Sequence, residues 1–321
     1  MTGILLTAAA VLLATNRPVA LSNAVVRTTG VKISVPAGKS ADPVEREFQE
    51  LLEADNAAQA EVDEWIRKEN AFAEKGANIS GATLNGRIEQ RFAPIKKAYD
   101  RFILKHPDHA GVRLAYGSFL NDIGEELEAI AHWEKALKLD PSNPAAWNNM
   151  ANYYGQQGPV AKAFEYYEKA IELKPDESVY YHNFASAVYN FRQEAKSYFK
   201  CPEQEVFDRA LALFQKALQF SPADFPLASD LAQTYYGIKP LRVDEAIKAW
   251  EYALKIARDS IEREGIHIHL ARVKLNAGRL TEARQHLESV TNNMYSPLRN
   301  RIQRNVDERE EKTRKQLGPA L

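Results

Sequence analysis

Three prolines constrain this chain more than any other feature. Pro107 in KHPDHA, Pro141 in KLDPSN and Pro175 in ELKPDE follow one another at steps of 34 residues. The same step of 34 relates Gly124 to Gly158, Ala129 to Ala163, Trp133 to Tyr167 and Ala136 to Ala170. A period kept by several residue classes at once marks a repeat architecture, in which each unit buries its apolar face against its neighbours. Within a period, LEAIAHWEKALKLDP and AKAFEYYEKAIELKP place apolar residues at three- and four-residue steps, which predicts amphipathic helices. The preceding VRLAYGSFLNDIG and AWNNMANYYGQQG carry a second apolar stripe and stop at a glycine, which readily takes the left-handed backbone that closes a helix. Two helices per unit follow. Gly117 or Ala151 leaves room for the helices to approach, and Trp133 or Tyr167 fills the space between them.

The run Trp147, Met150, Ala151, Tyr154, Gly158, Ala163, Tyr167, Ala170, Pro175 resembles the tetratricopeptide repeat (TPR) family at every step of its 34-residue pattern. A third unit opens at YYHNFASAVYNF, with Phe184 and Ala185 at the Leu-Gly positions, but ends at Pro222, 47 residues after Pro175. Thirteen extra residues therefore fall between its helices, around RQEAKSYFKCPEQEV. A fourth unit runs through Leu231, Ala232, Tyr235, Ala246, Trp250 and Ala253, and a fifth through Leu270, Ala271, Gly278, Ala283 and Leu287. The resemblance implies an all-α fold, a right-handed α-solenoid of stacked helix-turn-helix repeats over residues 110–292 with N- and C-terminal capping helices.

Both ends read as caps. DPVEREFQELLEADNAAQAEVDEWIRKENAF is a long helical pattern with Asp42 as N-cap and Pro43 in the first turn. Residues 43–109 form a helical cap with a degenerate repeat. Asp42 to Lys75 holds eleven acidic and four basic residues, and Arg87 to Lys105 six basic and two acidic, so these two segments are expected to pair by charge. SPLRNRIQRNVDEREEKTRKQL, within 293–321, is the polar cover expected at an open solenoid end.

The leader has a different character. ILLTAAAVLLA (Ile4 to Ala14) is followed by small residues Ser22 and Ala24 at a cleavage-like spacing, so 1–24 reads as a signal peptide and 25–42 as a linker, although MTG carries no Lys or Arg. Eleven apolar residues are too few for a spanning helix, which needs roughly 20. The expected location is outside the cytoplasm, periplasmic or secreted, with no integral membrane span in the mature chain. The net charge of -1 provides no general attraction for nucleic acid. A single cysteine, Cys201, excludes an internal disulfide framework and any multi-cysteine metal site.

Trp147, Met150, Ala151 and Tyr154 fall at packing positions. In the TPR family other first-helix positions line the concave groove, and the resemblance carries this role onto Leu114, Ser118 and Asn121 in the first unit and Asn148 and Asn152 in the second. In the third it falls on His182, Ser186 and Tyr189, in the fourth on Ser229, Gln233 and Tyr236, and in the fifth on Ile268 and Arg272. Tyrosines and amides suit an extended peptide, because rings supply contact area and amides satisfy main-chain groups. The family's chaperone-tail clamp requires cations where this chain has Leu114, Ser118, Val179 and Asn183, so that subtype is rejected. Tyr198 and Phe199 make the insertion a second contact candidate, with packing on its own repeat as the competing reading.

His267 and His269 lie on different sides of a helix and so do not chelate one ion together. No metal, cofactor or catalytic residue is expected. Asn78 in NIS fits a glycosylation sequon, a short pattern that recurs by chance. The implied function is a non-catalytic scaffold or adaptor that binds a protein or extended peptide. The alternatives are a cell-envelope polymer-binding protein or enzyme using the aromatic insertion, and a structural subunit of an envelope or secretion assembly.

Overall fold

The computed structural model describes residues 40–74 and 81–317, and every regular element among them is helical. The leader, most of the linker and Asn78 lie outside the described residues. Fourteen α-helices follow one another: α1 (Pro43–Glu74), α2 (Gly81–Lys105), α3 (Ala110–Asp122), α4 (Glu126–Leu139), α5 (Pro144–Gln157), α6 (Val160–Leu173), α7 (Ser178–Asn190), α8 (Arg192–Phe199), α9 (Glu203–Phe220), α10 (Phe225–Thr234), α11 (Val243–Ile256), α12 (Ser260–Asn276), α13 (Leu280–Glu288) and α14 (Ser296–Leu317). The fold is an all-α repeat solenoid, and its described residues divide into two units, 40–175 and 176–317.

Local chemistry starts and stops the helices. Asp42 Oδ1 accepts the Val44 amide at 2.8 Å ahead of Pro43, Asn143 Oδ1 accepts that of Ala145 at 3.1 Å beside Pro144, and Asp224 Oδ1 accepts that of Leu227 at 3.0 Å. Each cap satisfies an amide that the first turn leaves without a partner. Gly124, Gly158 and Gly278 close α3, α5 and α12 with φ of 84°, 68° and 76°. His109 does more than flank the Pro107 turn: its Nδ1 caps α3 by accepting the Val112 amide at 3.0 Å, while Nε2 lies 3.0 Å from Glu45.

In the unit 40–175, α1 packs along α2 through Phe48, Leu51, Leu52 and Val62 against Phe92, Ile95, Tyr99 and Phe102. Arg91 pairs with Glu61 and Lys105 with Glu47, so the expected charge pairing of these segments is present. The pairs α3/α4 and α5/α6 repeat one packing motif. A Cβ on Gly117 would stand 2.6 Å from the Trp133 ring and 2.9 Å from Ala129 O, so only glycine allows that approach. One period later, Ala151 and Tyr167 occupy the equivalent places, both buried. Met150 and Ala151 are interior as expected, but Trp147 and Tyr154 are only half-buried. They meet Tyr166 edge-on at 4.9 and 5.4 Å, and Lys162 lies 4.1 Å above the Tyr154 ring.

In the unit 176–317, the pairs are α7/α9, α10/α11 and α12/α13. The extra residues of the third repeat form α8 and lengthen α9, with Lys200 turning the corner at φ 52°. Phe199 of α8 lies 6.4 Å from the buried Phe184 ring and beneath the Arg209 guanidinium at 4.7 Å. Tyr198 meets Phe199 edge-on at 5.0 Å, so the insertion packs on its own repeat. Helix α14 buries Ile302 and Val306 against Ala271, Leu275, Ala283 and Leu287. Arg284 holds its outer side through Asp307 at 2.6 Å and Glu310 at 2.7 Å, so α14 covers the last repeat.

Candidate functional site

The first helices of successive repeats carry the polar residues expected to line a groove, and packing sorts them by depth. In the unit 40–175, Leu114 and Asn148 are interior, at 1% and 0% exposure, and do not line an open surface. Ser118 is half-buried and joins α3 to α5: its hydroxyl donates to Leu114 O at 3.2 Å and accepts from Asn149 Nδ2 at 3.0 Å. Asn152 is half-buried and its Oδ1 accepts the Tyr167 hydroxyl at 2.6 Å, tying α5 to α6. Asn121, at the end of α3, is also half-buried.

In the unit 176–317, Ser229 and Ile268 are interior, at 1% and 5% exposure. His182 on α7 reaches α10, where its Nε2 lies 2.8 Å from Asp230 Oδ2. Ser186, one turn along, is half-buried. The Tyr189 hydroxyl seats on the Gly237 backbone and its ring lies 6.1 Å from Phe207, with Arg192 5.2 Å above it; burial raises the Tyr189 pKa. Tyr236 places its hydroxyl 3.1 Å from His269 Nδ1, and burial raises its pKa. His269 lies flat on Trp250, with centroids 4.1 Å apart and an angle of 5°. Burial, helped by the nearby Arg272 charge, lowers His269 to about 4, so this imidazole is neutral at pH 7.

One group on this face is exposed and two are enclosed without a hydrogen-bond partner. Arg272 is exposed, its guanidinium held 4.5 Å over the Tyr236 ring. Gln233 Nε2 and Ser229 Oγ, one turn apart on α10, have no hydrogen-bond partner among the described residues.

Sequence reading missed two features here. Asp230, the partner of His182, stands 48 positions away with no local signal, although it adjoins Ser229. His267 does face away from His269, but it points at His286 on α13, with the two Nδ1 atoms 3.0 Å apart. Burial lowers the pKa of both rings, and the neutral pair shares one proton between the facing nitrogens. Among the described residues, no group of three or more His, Cys, Asp or Glu is placed to hold a metal. No helix among them is long and apolar enough to cross a membrane.

Paired helices at a fixed period, with small residues beneath aromatic ones, define a helical-repeat protein. Residues 120–158 match the family pattern described as TPR repeat and residues 144–177 the one described as tetratricopeptide repeat. Residues 120–177 of the chain thus carry tetratricopeptide repeats. Among solved structures it is similar to PilW, a widely conserved type IV pilus biogenesis factor, at 13% identity and TM-score 0.52, over 77% of this chain and 97% of that one. YrrB, a TPR protein with an unusual peptide-binding site, aligns at 15% identity and TM-score 0.49, over 65% of this chain and 99% of its own. A thermophilic TPR protein of Thermus thermophilus, TTC0263, aligns at 23% identity and TM-score 0.42, over 62% and 99%. At these identities the likeness concerns the fold alone. No curated protein matches the chain.

Proposed function

We propose that this chain is a non-catalytic scaffold that binds an extended segment of another protein along its first helices, outside the cytoplasm. The observation that carries the reading is that packing leaves a first-helix residue of each repeat in the unit 176–317 at the surface, Ser186 and Gln233 half-buried and Arg272 exposed. An extended guest chain offers main-chain groups at the density such a face can satisfy. The other polar residues serve the fold: His182 holds Asp230, Asn152 holds Tyr167 and Tyr236 holds His269. Groups committed in this way hold the helices rigid, which lowers the ordering cost of binding on the scaffold's side. Placement outside the cytoplasm rests on the apolar leader alone.

The test uses fluorescein-labelled dodecapeptide pools titrated with the full chain and read by anisotropy. Saturable binding that Gln233→Arg abolishes and Glu251→Arg, on the exposed face of α11, leaves intact supports the reading. Binding by no pool, or equal loss with both variants, refutes it. Export is tested separately, by asking whether residues 1–24 carry a reporter across the membrane and are removed; retention of the reporter in the cytoplasm refutes that part.

A further inference from the structure

The histidine pair at the seam of the last repeat has a geometry that limits what it can hold. His267 on α12 and His286 on α13 are both half-buried, with their Nδ1 atoms 3.0 Å apart and their ring centroids 5.3 Å apart. That centroid separation equals the gap plus the radius of each ring, so the two nitrogens face each other head-on along one line. Their lone-pair directions oppose and do not converge. Convergent donors suit ions that gather three or four protein ligands, and among the described residues no group of three His, Cys, Asp or Glu is placed to do so. Opposed donors suit an ion that takes two.

The charges around the pair favour a cation. Glu264 and Glu282 stand one turn before His267 and His286 on their own helices, and each carboxylate acts on the ring beyond it. The Asn292 and Thr291 amides, at 2.6 and 2.9 Å, hold the Glu264 carboxyl below its ordinary value, so it stays ionised beside the pair. Lys274 opposes a cation at His286, but its ammonium is held by Glu282 at 2.9 Å. Burial keeps both imidazoles neutral, so each Nδ1 offers a lone pair once the shared proton leaves.

We propose that His267 and His286 form a two-coordinate site for a closed-shell monovalent metal ion, Cu(I) in particular, held between their Nδ1 atoms. Imidazole suits copper as a ligand. Metal–imidazole bonds of about 2 Å would place the nitrogens about 4 Å apart, so the rings part by about 1 Å, which small rotations of two half-buried side chains supply. The ring that carries the bridging proton gives it up at Nδ1 and takes one at Nε2 through water. Both imidazoles therefore stay neutral, no proton is released overall, and the complex carries the single charge of the ion. The site does not depend on the peptide-binding reading.

The experiment uses the full chain as Cys201→Ser, which removes the one thiol that would compete for a soft ion. In chloride-free buffer, one equivalent of Ag(I), an air-stable probe of the same coordination, should raise the thermal midpoint and shift the Nδ1 resonances of two histidines in nitrogen NMR. Cu(I) delivered anaerobically from a chromogenic chelator should be taken up at one ion per chain. His267→Gln and His286→Gln, each checked as folded by its metal-free melt, should each abolish both responses, and His106→Gln, at the Pro107 turn, should leave them intact. Lack of uptake, or uptake that either pair variant retains in full, overturns the site. Zn(II) held at the pair more tightly than Ag(I) would show that the ligands converge, and overturns it too.

Discussion

The Gly117–Trp133 contact allows a quantitative test of how the two helices of a repeat are packed. Replacing a mid-helix glycine by alanine ordinarily stabilises a helix by about 1 kcal/mol, through backbone entropy and solvation. At Gly117 the new Cβ would stand 2.6 Å from Trp133 Cδ1 and Nε1 and 2.9 Å from the Ala129 carbonyl. That is about 1 Å inside an ordinary carbon contact, and overpacking of this kind costs about 1–3 kcal/mol. The steric cost exceeds the propensity gain, so Gly117→Ala should destabilise the chain by about 1 kcal/mol, a fall of about 2–4 °C in midpoint for a unit of this size. Gly86→Ala on α2, where a Cβ meets nothing within 4 Å, should show the opposite sign. The double variant Gly117→Ala, Trp133→Tyr recreates the Ala151–Tyr167 pair of the next repeat. It should recover most of the loss, because Trp133 Nε1 is buried without a partner and Tyr forfeits no hydrogen bond. The assay is thermal and urea unfolding of the four proteins, with the coupling taken from the double-mutant cycle. A Gly117→Ala protein as stable as the wild type, or a cycle with no coupling, would refute the steric account.

Three further outcomes follow from the same structure. Val306, fully buried on the inner face of α14, should lower the unfolding midpoint sharply as Val306→Asp, by about 3 kcal/mol or more, because a charge enters an apolar seat. Arg284→Ala, which removes a partly exposed pair of ion contacts to the same helix, should cost less than about 1 kcal/mol in the same melt. Stability should depend on pH through His269 and His286. Burial first, then Arg272 for the one and Lys274 for the other, lowers both to about 4 from the ordinary 6.5. The unfolded chain therefore takes up protons first on acidification. The stabilisation is complete above pH 6.5 and is lost as pH falls toward 4, and His269→Gln should flatten the urea midpoint across that window.

The repeats were legible because several residue classes shared one spacing, and each class serves a separate physical purpose: glycine closes a helix, proline ends a unit, alanine sits under an aromatic ring. Depth on the first helices was not legible. Ser229 and Gln233 lie one turn apart on one stripe, yet Ser229 is 1% exposed and Gln233 half-buried, because depth depends on the packing of neighbouring helices and not on the stripe itself. Pairings across repeats were equally hidden. His182 meets Asp230 over 48 positions and His267 meets His286 over 19, and neither spacing is a helical step. The insertion was visible as extra length, but its folding back through Phe199 onto Phe184 is a contact over 15 positions that no local pattern records.

The corner at Lys200, which separates α8 from α9, also carries the chain's sole thiol, on the half-buried Cys201. A maleimide dye therefore attaches at one place in the unaltered protein, with no background cysteines to remove. Motion of the inserted helix against its repeat becomes a fluorescence signal, and guest engagement is observable from the scaffold's side.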